Sequence, residues 1–258
     1  MHKSGLLKIG YFGDGPWSHG ALDLLMSDPR IKIAFVCARY KNPDASLKKR
    51  ATEAKVDFLI EKDINTPIFA EKAASYGTDL FVSMSFDQIL RKHFFEIPRL
   101  GTINCHAGKL PKYRGRNVLN WALINDEKEF GITVHHVDSG VDTGDIILQH
   151  VFPIHEEDNY HTLLEKAFEE CPKILYKAIC LILEGKDSRT PQDSLGEQAL
   201  ICSQRLSGDE VINWSQTSRE IYNFTRALCP PGPSAVTFFD GIKVKISKVE
   251  IIPHSPRY

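Results

Sequence analysis

The chain has 258 residues, of which 42% are hydrophobic and 25% charged, and a formal net charge of −1. That length buries a full core without staples, and the balance excludes a disordered or fibrous chain. The near-neutral charge speaks against a nucleic-acid surface, which relies on a basic face.

Leu7 to Phe12 reads as a strand, entered at once from the N-terminus with no signal peptide in front of it. Gly13, Asp14, Gly15 and Pro16 turn the chain, and Ser18 to Ser27 reads as a helix. Ile31 to Cys37 is a second strand, and Asp44 to Ala54 a polar helix with Asp44 as its N-cap. A short strand at Phe58 to Ile60, a helix from Pro67 to Tyr76, a strand from Leu80 to Met84 and a helix from Asp87 to Phe94 follow. Leu100 to Cys105 is the fifth strand. Apolar runs separated by amphipathic helices predict an α/β fold with a doubly wound, mostly parallel sheet.

The pattern then changes. Asn117 to Asn125 is helical. Gly131 to Val137 and Ile146 to Ile154 are strands joined by the turn-rich DSGVDTGD, and Thr162 to Leu183 is one long helix with Pro172 inside it. Composition turns polar at 187–196, which divides residues 1–186 from a small C-terminal α+β appendage, 187–258. That appendage holds a helix (Ser218 to Cys229) and a hairpin turning on Asp240-Gly241. No apolar run reaches the length of a membrane span. The six cysteines include no CxxC pair, so the expectation is reduced thiols and a cytoplasmic protein.

Ligands in open α/β sheets bind beyond the carboxyl ends of the strands. Asn104 and His106 sit there on the fifth strand and, at period 2, point to one side, with Cys105 on the other. Taken alone, Asn-x-His also fits a polar strand end capping a loop, and Asp142 and Asp145 fit turn chemistry. Together an amide, an imidazole and a carboxylate are the parts of an acyl transfer without a covalent intermediate. The glycines of 10-GYFGDG-15 lack dinucleotide or P-loop spacing. His135 and His136 face opposite ways along a strand, read as satisfied strand histidines, and give no metal site.

These segments resemble the folate-dependent formyltransferases, the family of methionyl-tRNA formyltransferase, glycinamide ribonucleotide formyltransferase and the sugar N-formyltransferases. The resemblance rests on 104-NCH-106, 110-LPKYRG-115, 131-GIT-133 and 142-DTGD-145. It is strong from Leu7 to Ile154 and weaker over 213–228 and 233–239. It implies Asn104, His106 and Asp142 as a catalytic trio and N10-formyltetrahydrofolate as the formyl donor. The pterin slot would be lined by Met84, Phe86, Ile89, Leu90, Asp138, Gly140 and Val141.

The stretch 109-KLPKYRGRNVLNWALINDE-127 is most similar to the sugar N-formyltransferases. The implied acceptor is an amino group on a dTDP- or UDP-linked amino-deoxy sugar, feeding lipopolysaccharide or another surface glycan. Phe12, Gly13, Gly15, Trp17, Arg114, Arg116 and Arg226 are candidate nucleotide contacts, with core packing for Phe12 and Trp17 and a surface role for Arg226 as the plainer alternative. The resemblance further implies a homodimer, with neither metal, nucleic acid nor membrane as partner. The rivals are a methionyl-tRNA formyltransferase whose C-terminal OB-type domain is missing, a formyl-folate hydrolase, and a non-catalytic binding module.

Overall fold

A computed structural model describes residues 6–252. The first half alternates strand and helix: β1 (Leu7–Gly13), α1 (Gly15–Ser27), β2 (Ile31–Ala38), α2 (Ala45–Glu53), β3 (Asp57–Ile60), α3 (Pro67–Ser75), β4 (Leu80–Met84), α4 (Lys92–Phe95) and β5 (Thr102–His106). Pro16 lies in the first turn of α1, where its missing N–H costs nothing. Asp44 caps α2 as expected, accepting from the Leu47 N–H at 2.9 Å.

The second half runs β6 (Tyr113–Gly115), α5 (Val118–Ile124), β7 (Glu129–His136), β8 (Ile146–Pro153), α6 (Tyr160–Leu183), β9 (Leu200–Cys202), α7 (Ser218–Leu228), β10 (Ala235–Phe239) and β11 (Ile242–Ile246). The seven-stranded sheet has the order β3-β2-β1-β4-β5-β7-β8. β1 to β5 pair in parallel, whereas β7 is antiparallel to β5 and β8 to β7. Chain order reverses between β1 and β4, which places the ligand crevice outside their carboxyl ends.

The strands of this buried sheet carry apolar residues to both faces. Ile9, Tyr11, Val82 and Ile103 pack towards α1 and α6. Phe12, Phe35, Phe81 and Phe94 form an aromatic cluster on the other face, with edge-on or stacked rings 5.2–5.8 Å apart. Gly10 has no side chain because a Cβ there would lie 2.6 Å from the Phe35 ring. Helix α6 runs through Pro172, whose ring faces Gly20 of α1.

The structure departs from the sequence reading in two places. The helix from Asp87 to Phe94 shrinks to Lys92–Phe95. Ser85 sits at φ +58°, and the segment behind it is pinned as a loop. Asn65 donates to the Ile89 carbonyl and accepts from Arg91 N–H. Gln88 bonds Ile64 N–H and the Glu61 carbonyl. The second departure is β6 with β9, a parallel pair that the sequence did not suggest, joining the loop after β5 to the tail. The hairpin forms as expected, with positive φ at Asp240 and Gly241.

Candidate active site

Asn104 and His106 end β5, and the antiparallel register sets His135 opposite Asn104 and Thr133 opposite His106. The 138–145 turn brings Asp142, at φ +53°, back over the same edge. His106 Nδ1 lies 3.6 Å from Asp142 Oδ2, and His135 Nε2 lies 3.4 Å from Asp142 Oδ1. Asn104 Nδ2 is 3.3 Å from His135 Nε2. The three residues singled out in the sequence therefore lie together, and His135, which the sequence reading passed over, is buried in the same group. Its signal was the register: directly opposed residues of an antiparallel pair share a face.

The loop 110–115 grips this group through its backbone. The Tyr113 carbonyl stands 2.7 Å from His106 Nε2. A carbonyl only accepts, so Nε2 carries the hydrogen and Nδ1 is the nitrogen free to exchange a proton with the cleft. Gly115 N–H donates to Asp142 Oδ2 at 2.9 Å. Burial works to raise the Asp142 carboxyl, but the facing imidazoles His106 and His135 and the Gly115 amide outweigh it and hold the group well below the usual carboxylate range. Asp142 is thus a carboxylate at neutral pH.

Further side chains fix the frame. Gln192, which belongs to no motif, is buried and donates to the carbonyls of Asp142 and Gly144, both at 2.8 Å. Arg114 in turn donates to Gln192 Oε1. Thr133 donates to the Gly108 carbonyl at 2.7 Å and so ties the start of the loop to β7. Gly144 could carry no side chain, since a Cβ would lie 1.9 Å from the His136 carbonyl oxygen.

A cleft of about 520 Å³ opens over the trio. Its lining includes Met84, Phe86, Ile89 and Leu90 with Asp138, Gly140 and Val141, the residues expected to face a pterin. Ile89 and Val141 are exposed there, and Met84 and Leu90 are buried. This is an apolar slot edged by backbone polar groups, the character a flat heteroaromatic ring needs. Trp17, Arg39, Arg116, Asn117 and Tyr160 line the same cleft. Arg39 pairs with Asp14, while its buried Nε–H has no partner.

The candidate nucleotide contacts divide. Trp17 and Arg116 line the cleft. Phe12 is fully buried in the aromatic cluster and presents no surface to a ligand. Gly13 and Gly15 lie at the β1–α1 turn outside the lining, and Arg114 is spent on Gln192. Arg226 is neither a surface residue nor near the cleft. It is buried, and one of its guanidinium nitrogens donates to the carbonyls of His155, Glu156 and Asp158. Among the described residues no cluster of three His, Cys, Asp or Glu side chains is arranged to hold a metal ion, and no helix is long and apolar enough to cross a membrane.

Residues 25–179 match the family model for formyl transferase, and residues 207–257 the model for the formyl transferase C-terminal domain. The chain is 38% identical over 237 residues to a methionyl-tRNA formyltransferase of Azobacteroides pseudotrichonymphae genomovar. CFP2, covering 87% of this chain and 73% of that one. It is 33% identical over 207 residues to the bifunctional polymyxin resistance protein ArnA of Wigglesworthia glossinidia brevipalpis, which covers 80% of this chain and 31% of ArnA. The chain thus spans about a third of that relative. Among solved structures it is similar to WlaRD, a sugar 3N-formyl transferase in the presence of dTDP and 5-N-formyl-THF. The TM-score is 0.71 at 25% identity, over 94% of this chain and 85% of that one. Because 207–257 match the second model, the length of the tail no longer decides the acceptor.

Proposed function

We propose, since the chain belongs to the formyl transferase family, that it transfers the formyl group of N10-formyltetrahydrofolate to the amino group of a nucleotide-linked amino-deoxy sugar. The observation that carries the reading is the convergence of Asn104, His106 and Asp142 in one cleft whose lining carries both apolar side chains and arginines. The slot fits the donor: Phe86, Ile89 and Leu90 offer apolar surface to a pterin, and the backbone of 138–141 offers it polar edges.

In this reading the acceptor's neutral amine attacks the formyl carbon, and the carbonyl electron pair moves onto oxygen. Asn104 Nδ2–H and His106 Nδ1–H donate to that oxygen as charge develops. The Asp142 carboxylate stabilises His106 in its protonated form. The amine sheds one proton, N10 gains one as its bond to the formyl carbon breaks, and the pair His106–Asp142 carries the exchange. The products are the formamide and tetrahydrofolate.

For the acceptor, the likeness to WlaRD, solved in the presence of dTDP, supports a sugar nucleotide. So does the cleft lining, which includes Trp17, Arg39 and Arg116. A second reading, an aminoacyl-tRNA acceptor, is favoured by the 38% identity to a methionyl-tRNA formyltransferase. The division near residue 186 belongs to the same proposal, with β9 of the tail buttressing the catalytic loop. Donor turnover tests the reaction class: tetrahydrofolate should appear only when an amine acceptor is added. Release without an acceptor would make the chain a hydrolase instead.

A further inference from the structure

We propose that Gln192 is a positioning residue for the transfer, joining the Asp142 turn to the 113–115 strand and so setting the His106–Asp142 pair. The inference rests on the formyl-transfer reading and adds a residue to it.

The Gln192 side chain is 3% exposed, and every polar position on it is used. Its NH2 donates to the carbonyls of Asp142 and Gly144, both at 2.8 Å. Its Oε1 accepts from Arg114 Nε at 3.1 Å and from Nη2 at 2.7 Å. A side-chain amide has two donor hydrogens and two acceptor lone pairs, so the set is complete. A half turn of the amide would set its oxygen against two carbonyl oxygens and its NH2 against a guanidinium, so only one orientation is tolerated. The backbone delivers the side chain to this place. Thr190 and Ile146 exchange N–H to carbonyl bonds of 2.9 and 3.0 Å just past the turn, and Gln192 opens a 3-10 turn two residues on.

Two elements meet at this amide. The first is the turn, where Asp142 keeps φ +53°, a left-handed backbone that persists only where its surroundings fix it. The second is β6. There Arg114 stands between Tyr113, whose carbonyl accepts from His106 Nε2, and Gly115, whose N–H donates to Asp142 Oδ2. One bridge therefore ties the backbone of the carboxylate to the strand that touches both partners. The 3.6 Å approach of His106 Nδ1 to Asp142 Oδ2 depends on that relative placement. The earlier part of the turn has anchors of its own, since Gly140 N–H and the Thr143 hydroxyl both donate to Asp138 Oδ1. Loosening Gln192 thus disturbs the carboxylate more than the 138–141 backbone expected to meet a pterin.

Substitutions separate this role from mere support of the fold. Gln192→Met fills the space without a donor. Gln192→Glu keeps the size and the Arg114 contact but replaces the NH2 with an acceptor. We expect each to lower kcat about 10- to 100-fold, measured below its melting transition, with donor and acceptor KM within about threefold. A residue that only supports the fold would lower Tm and leave turnover per folded molecule unchanged. Arg114→Met cuts the same link from its other side and should cost about 3- to 10-fold in kcat, whereas Arg114→Lys, which keeps a donor for Oε1, should recover most of that loss. Added to Gln192→Met, Arg114→Met should cost less than about twofold more, because the two side chains act as one link. Wild-type kcat in Gln192→Glu, or losses that multiply in the double variant, overturns the proposal. If neither Gln192 variant folds, Arg114→Met is compared with Arg114→Lys, and equal turnover of those two overturns it as well. A wild-type chain that transfers no formyl group to any amine refutes the underlying reading, a result distinct from variants that make no difference.

Discussion

Gly115→Ala tests whether the 110–115 loop holds the chemistry in place. Gly115 has φ +96°, a backbone conformation in which an L side chain is strained at about 1–3 kcal/mol. A Cβ there would lie 2.3 Å from the Cys202 carbonyl oxygen in β9, so β6 must retreat by roughly 1 Å to reach ordinary contact. Two bonds to the site hang on that short strand: Tyr113 O to His106 Nε2 and Gly115 N–H to Asp142. Loosening the second, a hydrogen bond to a charged group, adds about 1–2 kcal/mol to the strain. Together these amount to about 2–5 kcal/mol, or roughly 4–20 °C in Tm for a chain of this size. A displacement of this order costs about 100-fold in rate when it reaches reacting groups. The assay is kcat at saturating donor and acceptor beside a thermal melt and a titration with a folate analogue. The expected pattern is a low kcat, a lowered Tm and near-normal folate affinity. A variant that melts lower yet turns over at the wild-type rate refutes the link between loop and chemistry.

Asn104→Ala should lower kcat about 10²–10³-fold, as loss of one oxyanion donor does, with donor affinity unchanged in the same titration. His136, on the far side of β7, is pulled down from the ordinary histidine value to about 4, chiefly by burial and then by Arg189. The unfolded chain takes up a proton from about pH 6.5 downwards that the folded chain refuses until about pH 4. Folding stability is therefore lost as the pH falls through that window, by on the order of 2–3 kcal/mol. Denaturant midpoints at pH 7 and pH 4.5 should show the loss, and His136→Leu should reduce it; an equal loss in both proteins contradicts the assignment. Arg226→Met strands the carbonyls of His155, Glu156 and Asp158 and should cost about 2–3 kcal/mol of stability, measured by denaturation. Activity per folded molecule should stay near wild type, whereas a raised acceptor KM with unchanged stability would restore Arg226 to the binding site.

The parts of the site that follow from local rules were legible. Asn104 and His106 share a side because side chains alternate along a strand, and they end a strand at the carboxyl edge of a parallel sheet. Asp142 shared its turn with Asp138 and Asp145, and only the family resemblance singled it out. His135 was not legible, because its place depends on β7 running antiparallel to β5, after strands that are all parallel. Phe86, Ile89 and Leu90 have the spacing of an amphipathic helix, yet they line the cleft from a loop fixed by Asn65 and Gln88. Here tertiary hydrogen bonds override a periodic pattern. The same holds for Gly115, whose need for glycine arises from Cys202, a residue far along the chain. Phe12 and Arg226 have residue types that suit nucleotide binding, and only their burial assigns them elsewhere.

The central claim is tested most directly by offering N10-formyltetrahydrofolate with a panel of dTDP- and UDP-linked amino sugars beside charged initiator tRNA, and reading each acceptor by mass. The account predicts that a nucleotide-linked amino sugar gains one formyl group with equimolar release of tetrahydrofolate, and that the tRNA gains none. Formyl appearing on the aminoacyl-tRNA alone, or on no acceptor, would contradict it.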